Sequence, residues 1–340
     1  MDENGAQILS EPLSIVILAF IGLLVLCSFF GNAVILTAIH FDRTMQSVGY
    51  LFVGSKAVSD LLTIIVVVPL AAIDDLLNYW PFSDKLCEVW MALDVTLVTV
   101  PILTLLALGI DRYIHMKYPT FYLSYFTKKT VVLINVAAWL MSSCVFGIPW
   151  SGDFHRTGHR HDAHNRTVCI PQYPPALSFT FAALSFVVPS VCMIVIYNRL
   201  YQYSKRTTQK FQLMFKTLQM NYPDLDPKIP FLSEQRATNT IGIIMITFIA
   251  CWTPFFVLVM VRALSDGSCC PSWVFKLVTW IGYSNCVLSP LIYASTNQIF
   301  RAAFAKTLGV INQETYDRKV SVEVRPSKRS SNESEQIELN

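Results

Sequence analysis

The stretch Leu93–Tyr113, LDVTLVTVPILTLLALGIDRY, is an apolar run with a carboxylate near one end and Asp-Arg-Tyr at the other. Asp94 and Asp111 are seventeen positions apart, which corresponds to about 25 Å along an α-helix. The hydrocarbon core of a lipid bilayer is roughly 30 Å thick. If this run crosses a membrane as a helix, Asp94 lies near one face of the bilayer and Asp111 lies near the other.

The composition of the chain supports a membrane protein. Its 340 residues are 53% hydrophobic and 14% charged, which is too apolar for an ordinary soluble domain. The net charge of +3 is small and gives no indication of a nucleic-acid partner. The nine cysteines follow neither CxxC nor zinc-ligand spacing. We therefore expect membrane lipid as the surroundings, with no metal, no cofactor and no nucleic acid.

Seven apolar runs are long enough to span a bilayer, at residues 12–39, 48–74, 86–116, 130–150, 176–203, 237–264 and 273–296. Inside lipid these runs must be helical, because each unpaired backbone group there costs several kcal/mol. The sequence therefore predicts an all-α membrane protein built as a bundle of seven transmembrane helices.

Charge sets the expected orientation of the bundle. Basic residues concentrate on one side of the predicted membrane: Arg43, Lys117, Lys128, Lys129, Arg199, Lys205, Arg206, Lys210, Lys216, Lys228, Arg236 and Arg301. Lys and Arg mark the cytoplasmic side of membrane proteins. We therefore predict a multi-pass plasma-membrane protein whose N-terminus, residues 1–11, is short and extracellular.

The chain that follows divides into three parts. Residues 12–296 form the seven-helix domain. The segment NQIFRAAFAKTL, within residues 297–308, has amphipathic spacing and is expected to lie along the inner membrane surface. The polar tail, residues 309–340, is predicted to be disordered. Three prolines within residues 207–233 predict an irregular loop there.

Short motifs follow one another along the runs. GNAVI lies in the first run, SDLL in the second, DRY closes the third, CWTPFF lies in the sixth, and SPLIY followed by FRAAF closes the seventh. In this order and spacing, over about residues 14–306, the chain resembles the rhodopsin-like (class A) G-protein-coupled receptors. DVT in the third run and WIGYSN in the seventh resemble the biogenic-amine branch. The resemblance implies a receptor for a small cationic amine that activates a heterotrimeric G protein and meets receptor kinases and arrestin at its tail.

Asp94 is the first candidate for ligand binding. A carboxylate inside a membrane span is costly unless something compensates it, and in amine receptors the matching aspartate pairs with the ammonium of the ligand. The alternative is a structural partner such as the hydroxyl of Tyr283. The ligand site that the resemblance implies comprises Asp94, Val95, Thr99, Phe181, Ser185, Trp252, Phe255, Phe256, Trp280 and Tyr283.

The aromatic members of this set share a helical face. Trp252, Phe255 and Phe256 are spaced i, i+3 and i+4, and aromatic rings around a cation add cation–π attraction. Such a stripe is otherwise ordinary core. Phe181, Ala182 and Ser185 occupy the face of the fifth helix where the family's catechol-binding receptors carry several serines, and of these three residues only Ser185 is a serine. A less hydroxylated amine is therefore favoured over a catecholamine.

At the inner end, Asp111, Arg112 and Tyr113 resemble the family motif whose arginine bonds its neighbour and a glutamate of the sixth helix in the inactive receptor. Glu234 stands at that glutamate position. The resemblance implies that Arg112 is freed when the sixth helix moves outward; the further activation residues it implies are Tyr197, Pro290 and Tyr293. The alternative for Arg112 is one more charge on the cytoplasmic side.

The predicted outer side carries cysteines, a sequon and histidines. Cys87 and Cys169 both face an oxidising compartment, so we expect a disulfide between them. Asn165 begins a glycosylation sequon. The sequence assigns no partner to Cys269 and Cys270. The second outer loop indicates either metal or proton sensing or a variable solvated loop, through its residues His155, His159, His161 and His164.

Three positions depart from the family pattern: Lys56, Pro101 and Ser289. The family binds an internal sodium ion with a carboxylate matching Asp60 and with nearby polar groups, of which Asn285 is kept here. Lys56 lies one helical turn before Asp60. Its ammonium either replaces the ion or extends to the inner interface. Pro101 removes a backbone donor and is expected to kink the third helix.

Other classes of protein fit the sequence less well. No nucleophile elbow, phosphate loop or catalytic metal spacing occurs, so we expect no enzyme. An opsin would carry a lysine where Tyr283 stands, and a transporter would show broken helices or inverted repeats. Within the receptor class, the alternatives are an orphan receptor for a non-amine or peptide ligand and a constitutively signalling receptor. The identity of the amine, the G-protein subtype and the basal activity do not follow from these residues.

Overall fold

The structure is a computed structural model that describes residues 11–42, 45, 48–150, 160–161, 167–169, 175–221, 230–265 and 270–324. The longer helices are α1 (Glu11–Phe41), α2 (Tyr50–Leu62), α4 (Asp84–Lys117), α6 (Lys128–Trp150), α8 (Val188–Asn221), α9 (Pro230–Leu264) and α10 (Ser272–Thr296). The shorter helices are α3 (Val68–Leu77), α5 (Pro119–Tyr125), α7 (Pro175–Ala182), α11 (Gln298–Thr307) and α12 (Gln313–Val324). Two-residue strands β1 (Arg160–His161) and β2 (Thr167–Val168) pair antiparallel.

Within the described residues, six segments are long and apolar enough to cross a membrane: Ile15–Phe41, Tyr50–Leu77, Asp84–Lys117, Pro175–Thr217, Thr238–Leu264 and Trp273–Thr296. The remaining predicted span is α6, whose 23 residues extend about 34 Å. The predicted bundle of seven membrane helices is confirmed.

Two membrane helices contain a π-helical turn next to a proline. Thr63–Val67 is π-helical and precedes Pro69, and Ala183–Val187 is π-helical and precedes Pro189. Proline lacks an N–H and clashes with the preceding helical turn, and a π turn is one way in which a helix absorbs that defect. Pro101 lies inside α4, which continues through it as a single helix.

Buried polar side chains tie the helices together. The amide of Asn32 on α1 donates to the backbone carbonyl of Cys286 on α10, at 3.0 Å. The hydroxyl of Ser59 on α2 donates to the carbonyl of Leu97 on α4, at 2.9 Å. Trp139 on α6 donates its indole N–H to Ser55, at 3.0 Å. These bonds fix the rotation of neighbouring helices, because each buried donor needs its acceptor.

The inner ends of α8 and α9 differ from the sequence prediction. An irregular loop was expected over residues 207–233, but α8 continues to Asn221 and α9 already begins at Pro230. The prediction is wrong for these helical parts. No Gly or Pro occurs between Ser204 and Tyr222, so nothing interrupts the helix before Pro223, and the residue preceding a proline disfavours helix.

The amphipathic helix is found as predicted, at Gln298–Thr307. Asn297 caps it, because its side-chain oxygen accepts from the backbone N–H groups of Ile299 and Phe300, at 3.0 and 3.3 Å. Phe300 is buried against the bundle. This helix therefore packs against the bundle, and its position along the inner membrane surface stays a prediction.

The tail prediction is wrong for one segment. Disorder was expected over residues 309–340, but Gln313–Val324 forms α12. Asn312 accepts a hydrogen bond from the backbone N–H of Thr315, at 2.9 Å, and Tyr316 is buried, with the ammonium of Lys306 4.4 Å from its ring centroid. A capped start and one buried aromatic ring stabilise a helix that the average composition of the tail does not reveal.

Candidate functional site

Asp94 and Tyr283 meet between α4 and α10. The hydroxyl of Tyr283 donates to a carboxylate oxygen of Asp94, at 3.1 Å. Tyr283 is buried, whereas Asp94 is half-buried. The structure thus contains the tyrosine contact that the sequence offered as the alternative role of Asp94. That contact leaves the negative charge in place, because a phenol is a neutral donor.

Aromatic rings pack next to this pair. Trp252 lies edge-on to Tyr283, with ring centroids 6.1 Å apart, and edge-on to Phe255, at 5.7 Å. Phe256 lies edge-on to Phe255, at 5.4 Å, and stacks on Phe186, at 4.4 Å. The predicted aromatic face of α9 therefore adjoins the seventh membrane helix. Phe186 was missed by the sequence analysis, because its orientation depends on the π turn in which it lies.

The hydroxyl groups predicted for this site donate within their own helices. Ser185 donates to the carbonyl of Phe181, at 2.6 Å, and Thr99 donates to the carbonyl of Val95, at 2.7 Å. Both hydroxyl groups are buried. Their oxygens keep lone pairs, so each can still accept a hydrogen bond.

A second acidic residue, Asp75, lies close to the pair. Asp75 accepts from the indole N–H of Trp280, at 2.7 Å, and forms an ion pair with Lys276, at 3.3 Å. The ring of Trp280 lies edge-on to Tyr283, at 5.7 Å. A chain of contacts therefore runs from the ion pair to Asp94. The sequence shows two acids, Asp74 and Asp75, at the end of the second apolar run and Lys276 in the seventh. It could not show that Asp75 pairs with Lys276, because that contact joins residues far apart in the chain.

The disulfide between Cys87 and Cys169 is confirmed, with their Cα atoms 5.9 Å apart. It joins the start of α4 to the segment that follows β2. Trp80 packs beside it and stacks on Trp90, at 5.1 Å, and these two tryptophans were also missed. Several predicted features lie outside the described residues: Asn165, His155, His159, His164, Cys269 and the side chain of His161.

At the inner end, Asp111 holds two partners. Its carboxylate lies 3.3 Å from Nε of Arg112 and accepts from the hydroxyl of Tyr122 on α5, at 3.0 Å. Tyr113 does not take part in this cluster. Its hydroxyl accepts a hydrogen bond from the ammonium of Lys117 at the surface, at 2.9 Å. Glu234 lies in α9, but its side chain is outside the described part, so its pairing with Arg112 stays a prediction.

Two of the predicted activation residues, Arg112 and Tyr293, line a cavity at this end, whereas Tyr197 and Pro290 are not among its lining residues. It is lined by Arg112 of α4, Tyr293 of α10, Thr240 of α9 and Gly49. Tyr293 and Pro290 are buried, and Tyr197 is half-buried. The cavity is a place where Arg112 can change its conformation without the helices first unpacking.

Lys56 adopts one of its two predicted arrangements. Its ammonium lies 2.7 Å from a carboxylate oxygen of Asp60 and 3.4 Å from the side-chain oxygen of Asn285. Lys56 is buried, so the alternative in which it extends to the inner interface is contradicted. Ser289 donates to the carbonyl of Asn285, at 3.3 Å, and Pro101 is buried in α4.

Comparisons with known proteins bear on these sites. The family model described as 7 transmembrane receptor (rhodopsin family) matches residues 31–293. Dopamine receptor 1 of Drosophila melanogaster is 32% identical over 333 residues, which cover 89% of this chain and 65% of that protein. The 5-hydroxytryptamine receptor 1A-alpha of Takifugu rubripes is 27% identical, over 90% of this chain and 91% of that protein. Octopamine receptor beta-1R of Drosophila melanogaster is 29% identical, over 85% of this chain and 60% of that protein. The chain thus spans less than two thirds of both Drosophila receptors.

Proposed function

Because this chain belongs to the rhodopsin family of seven-transmembrane receptors, a receptor family and not an enzyme family, we propose that it binds a small cationic amine and activates a heterotrimeric G protein. The amine binds from the extracellular side, where the N-terminus also lies. The G protein binds at the cytoplasmic end of the bundle in the plasma membrane. Receptor kinases and arrestin act at the tail.

The contact between Asp94 and Tyr283 carries this proposal. Among the described residues, the hydroxyl of Tyr283 is the polar partner of Asp94, and it brings no positive charge. A half-buried carboxylate without a counter-charge is costly. An ammonium group supplies both the opposite charge and a charge-assisted hydrogen bond. The site is therefore complementary to a cation.

The aromatic rings define the rest of the ligand. Trp252, Phe255 and Phe256 form a connected set that reaches Tyr283. Their faces attract a cation by about 1 kcal/mol or more for each desolvated contact, and they accept an aromatic ring of the ligand by offset or edge-on packing. An amine joined to an aromatic ring satisfies both features. The names of the similar receptors specify dopamine, 5-hydroxytryptamine and octopamine, which are amines of this kind.

Ser185 limits which aromatic amines suit the site. Its hydroxyl donates to its own helix, so it offers mainly an acceptor to the ligand. A catechol presents two hydroxyl groups and is served better by several serines. We infer that the amine carries fewer ring hydroxyl groups than a catecholamine, and so differs in this respect from the dopamine named in one of the similar receptors.

Signalling requires two packings of the helices with different affinities for the amine. A ligand shifts their populations by its differential affinity. Arg112 is the residue that meets the G protein, and in this structure its Nε lies 3.3 Å from Asp111. We infer that this arrangement is the one that precedes binding of the G protein.

A panel of monoamines applied to cells that express the chain, with second messengers as the readout, tests the proposal. At least one amine should evoke a response that Asp94→Asn abolishes at equal surface expression. Asp84→Asn is the matched control, because Asp84 is an exposed carboxylate on the same helix, and it should respond as the wild type does. A normal response of Asp94→Asn would refute the amine site. Signalling that is present without any amine and unchanged by all of them would favour a constitutive receptor.

A further inference from the structure

Two glycines at the inner end of the bundle leave space that a neighbouring side chain occupies. At Gly49, a Cβ atom would overlap the guanidinium of Arg112, with Nη2 in contact and Cζ 2.7 Å away. At Gly242, a Cβ atom would overlap the ring and the hydroxyl oxygen of Tyr197. Real Cβ atoms essentially never come closer than 3.0 Å to such atoms. An alanine at either position would therefore make the opposing side chain shift, which the end of a flexible side chain such as the Arg112 guanidinium does readily.

The backbone does not explain either glycine. Gly49 has φ −64° and ψ −27°, which any residue adopts, and Gly242 lies inside the long helix α9. Among the described glycines, the positive φ angle is at Gly309. Glycine is unfavourable in a helix interior relative to alanine, because it loses more conformational freedom on folding. The space that the missing side chain leaves is therefore what these two positions provide.

Both spaces belong to the same region of the receptor. Gly49 and Arg112 line the inner cavity together with Thr240 and Ile241, and Ile241 directly precedes Gly242 in α9. Tyr293 also lines this cavity, and its hydroxyl is buried with no hydrogen-bond partner among the described atoms. A guanidinium that leaves Gly49 has a cavity to enter and a free hydroxyl to meet there.

We propose that Gly49 and Gly242 are positioning residues that hold Arg112 and Tyr197 in the resting state of the receptor. The proposal rests on the proposed function, because it assigns the two side chains to a signalling equilibrium. While Arg112 occupies the space at Gly49, its guanidinium is held at the start of α2. While Tyr197 occupies the space at Gly242, α8 and α9 stay in close contact. A methyl group at either position removes the resting place of one side chain without touching the amine site.

The test uses Gly49→Ala and Gly242→Ala in the full-length receptor. Two matched controls are Gly22→Ala, where a Cβ atom would meet nothing within 4 Å, and Gly54→Ala, where it would make ordinary contacts at 3.7 and 3.9 Å. The first measurement is amine-independent nucleotide exchange on the G protein per receptor at the cell surface. We expect basal nucleotide exchange to rise about fivefold in the two test variants, a factor typical of a modest coupling between two sites. The two controls should show no change.

The second measurement does not depend on signalling. The midpoint of thermal unfolding is compared for Gly49→Ala with and without Arg112→Ala, and for Gly242→Ala with and without Tyr197→Ala. If the two side chains occupy these spaces, each alanine should lower the midpoint in the wild-type background and lower it less, or raise it, when the opposing side chain is removed. The cycle remains informative if an alanine variant folds poorly, because removing the opposing side chain should then restore its folding.

The outcomes are separable. Additive midpoints in both cycles would overturn the proposal, whatever the receptor signals. Non-additive midpoints with unchanged basal exchange, in a receptor that does respond to an amine, would also overturn it and leave the proposed function intact. If neither the wild type nor any variant activates a G protein with or without amine, both proposals fall. Non-additive midpoints together with raised basal exchange support the proposal.

Discussion

The ammonium of Lys56 lies 2.7 Å from a carboxylate oxygen of Asp60, and the two residues are 1% and 2% exposed. They are one helical turn apart on α2, and Lys56 also reaches the side-chain oxygen of Asn285 on α10, at 3.4 Å. A buried charge is tolerated when it is paired and hydrogen-bonded. A fixed positive charge therefore lies beside Asp60, the carboxylate that the resemblance matches to the family's sodium site.

The first prediction concerns sodium. Because Lys56 already compensates Asp60, agonist affinity should be nearly independent of sodium when a bulky organic cation keeps the ionic strength constant. Lys56→Leu should lose stability, since removing one partner of a buried pair costs about 3–5 kcal/mol, and should gain at most a partial sodium response. Agonist binding curves with and without sodium measure the sodium response, and thermal unfolding measures the loss of stability. Lys128→Leu, at an exposed lysine, is the control. A clear sodium shift in the wild type would rule this prediction out.

The second prediction separates the two roles of Asp94. Tyr283→Phe removes one hydrogen bond, worth about 1 kcal/mol, and should weaken amine potency by roughly fivefold. Asp94→Asn removes the charge that the ammonium requires, and should weaken it by a hundredfold or more, or about 3 kcal/mol. Concentration–response curves at matched surface expression give both values. If Asp94 were only a structural partner of Tyr283, both variants would reduce thermal stability to the same extent. Amine potency would then fall by the same factor in both variants.

The third prediction concerns the disulfide. Cys87→Ser and Cys169→Ser should reduce surface delivery and amine affinity by similar amounts, because both lose a cross-link that closes a loop 82 residues long, worth about 2–5 kcal/mol. Cys144→Ser, at a free exposed cysteine, should leave both quantities unchanged. Surface labelling and radioligand binding measure these effects. Unequal losses, or peptide mapping that pairs Cys87 with Cys270, would contradict the assignment.

The fourth prediction concerns Asp75. Its ion pair with Lys276 is partly exposed, and exposed pairs contribute at most about 1 kcal/mol. Its bond from Trp280 is shorter and involves a charged acceptor, which is worth about 1.5–3 kcal/mol. Asp75→Asn keeps an acceptor for Trp280 and should change amine potency little, whereas Asp75→Ala should reduce it by about tenfold. Lys276→Met should resemble Asp75→Asn. Equal losses in Asp75→Asn and Asp75→Ala would show that the ion pair, and not the orientation of Trp280, matters.

Long apolar runs made the membrane helices predictable, because a single segment with enough apolar residues must form a helix in lipid whatever surrounds it. The same holds for the amphipathic helix at Gln298–Thr307. The predicted irregular loop and the predicted disordered tail were partly wrong, because both were inferred from the composition of a whole segment and not from the positions of its helix caps and breakers. The residues up to Asn221 stay helical because nothing interrupts them before Pro223, and α12 forms because Asn312 caps it and Tyr316 finds a buried place.

The sequence by itself determined the seven-helix class and the rhodopsin family, and it predicted an amine ligand and the residue types of its site. It left Lys56 with two arrangements and Asp94 with two partners, because both choices depend on which helix lies opposite. Only the tertiary structure placed Lys56 on Asp60, joined Asp75 to Trp280, and put Gly49 beside Arg112. The physical reason is distance. Asp75 and Trp280, like Gly49 and Arg112, are far apart in the chain, and their contact is decided over a few ångströms that helical spacing does not reveal. For Lys56, helical spacing allowed the contact with Asp60, and its burial among neighbouring helices excluded the alternative.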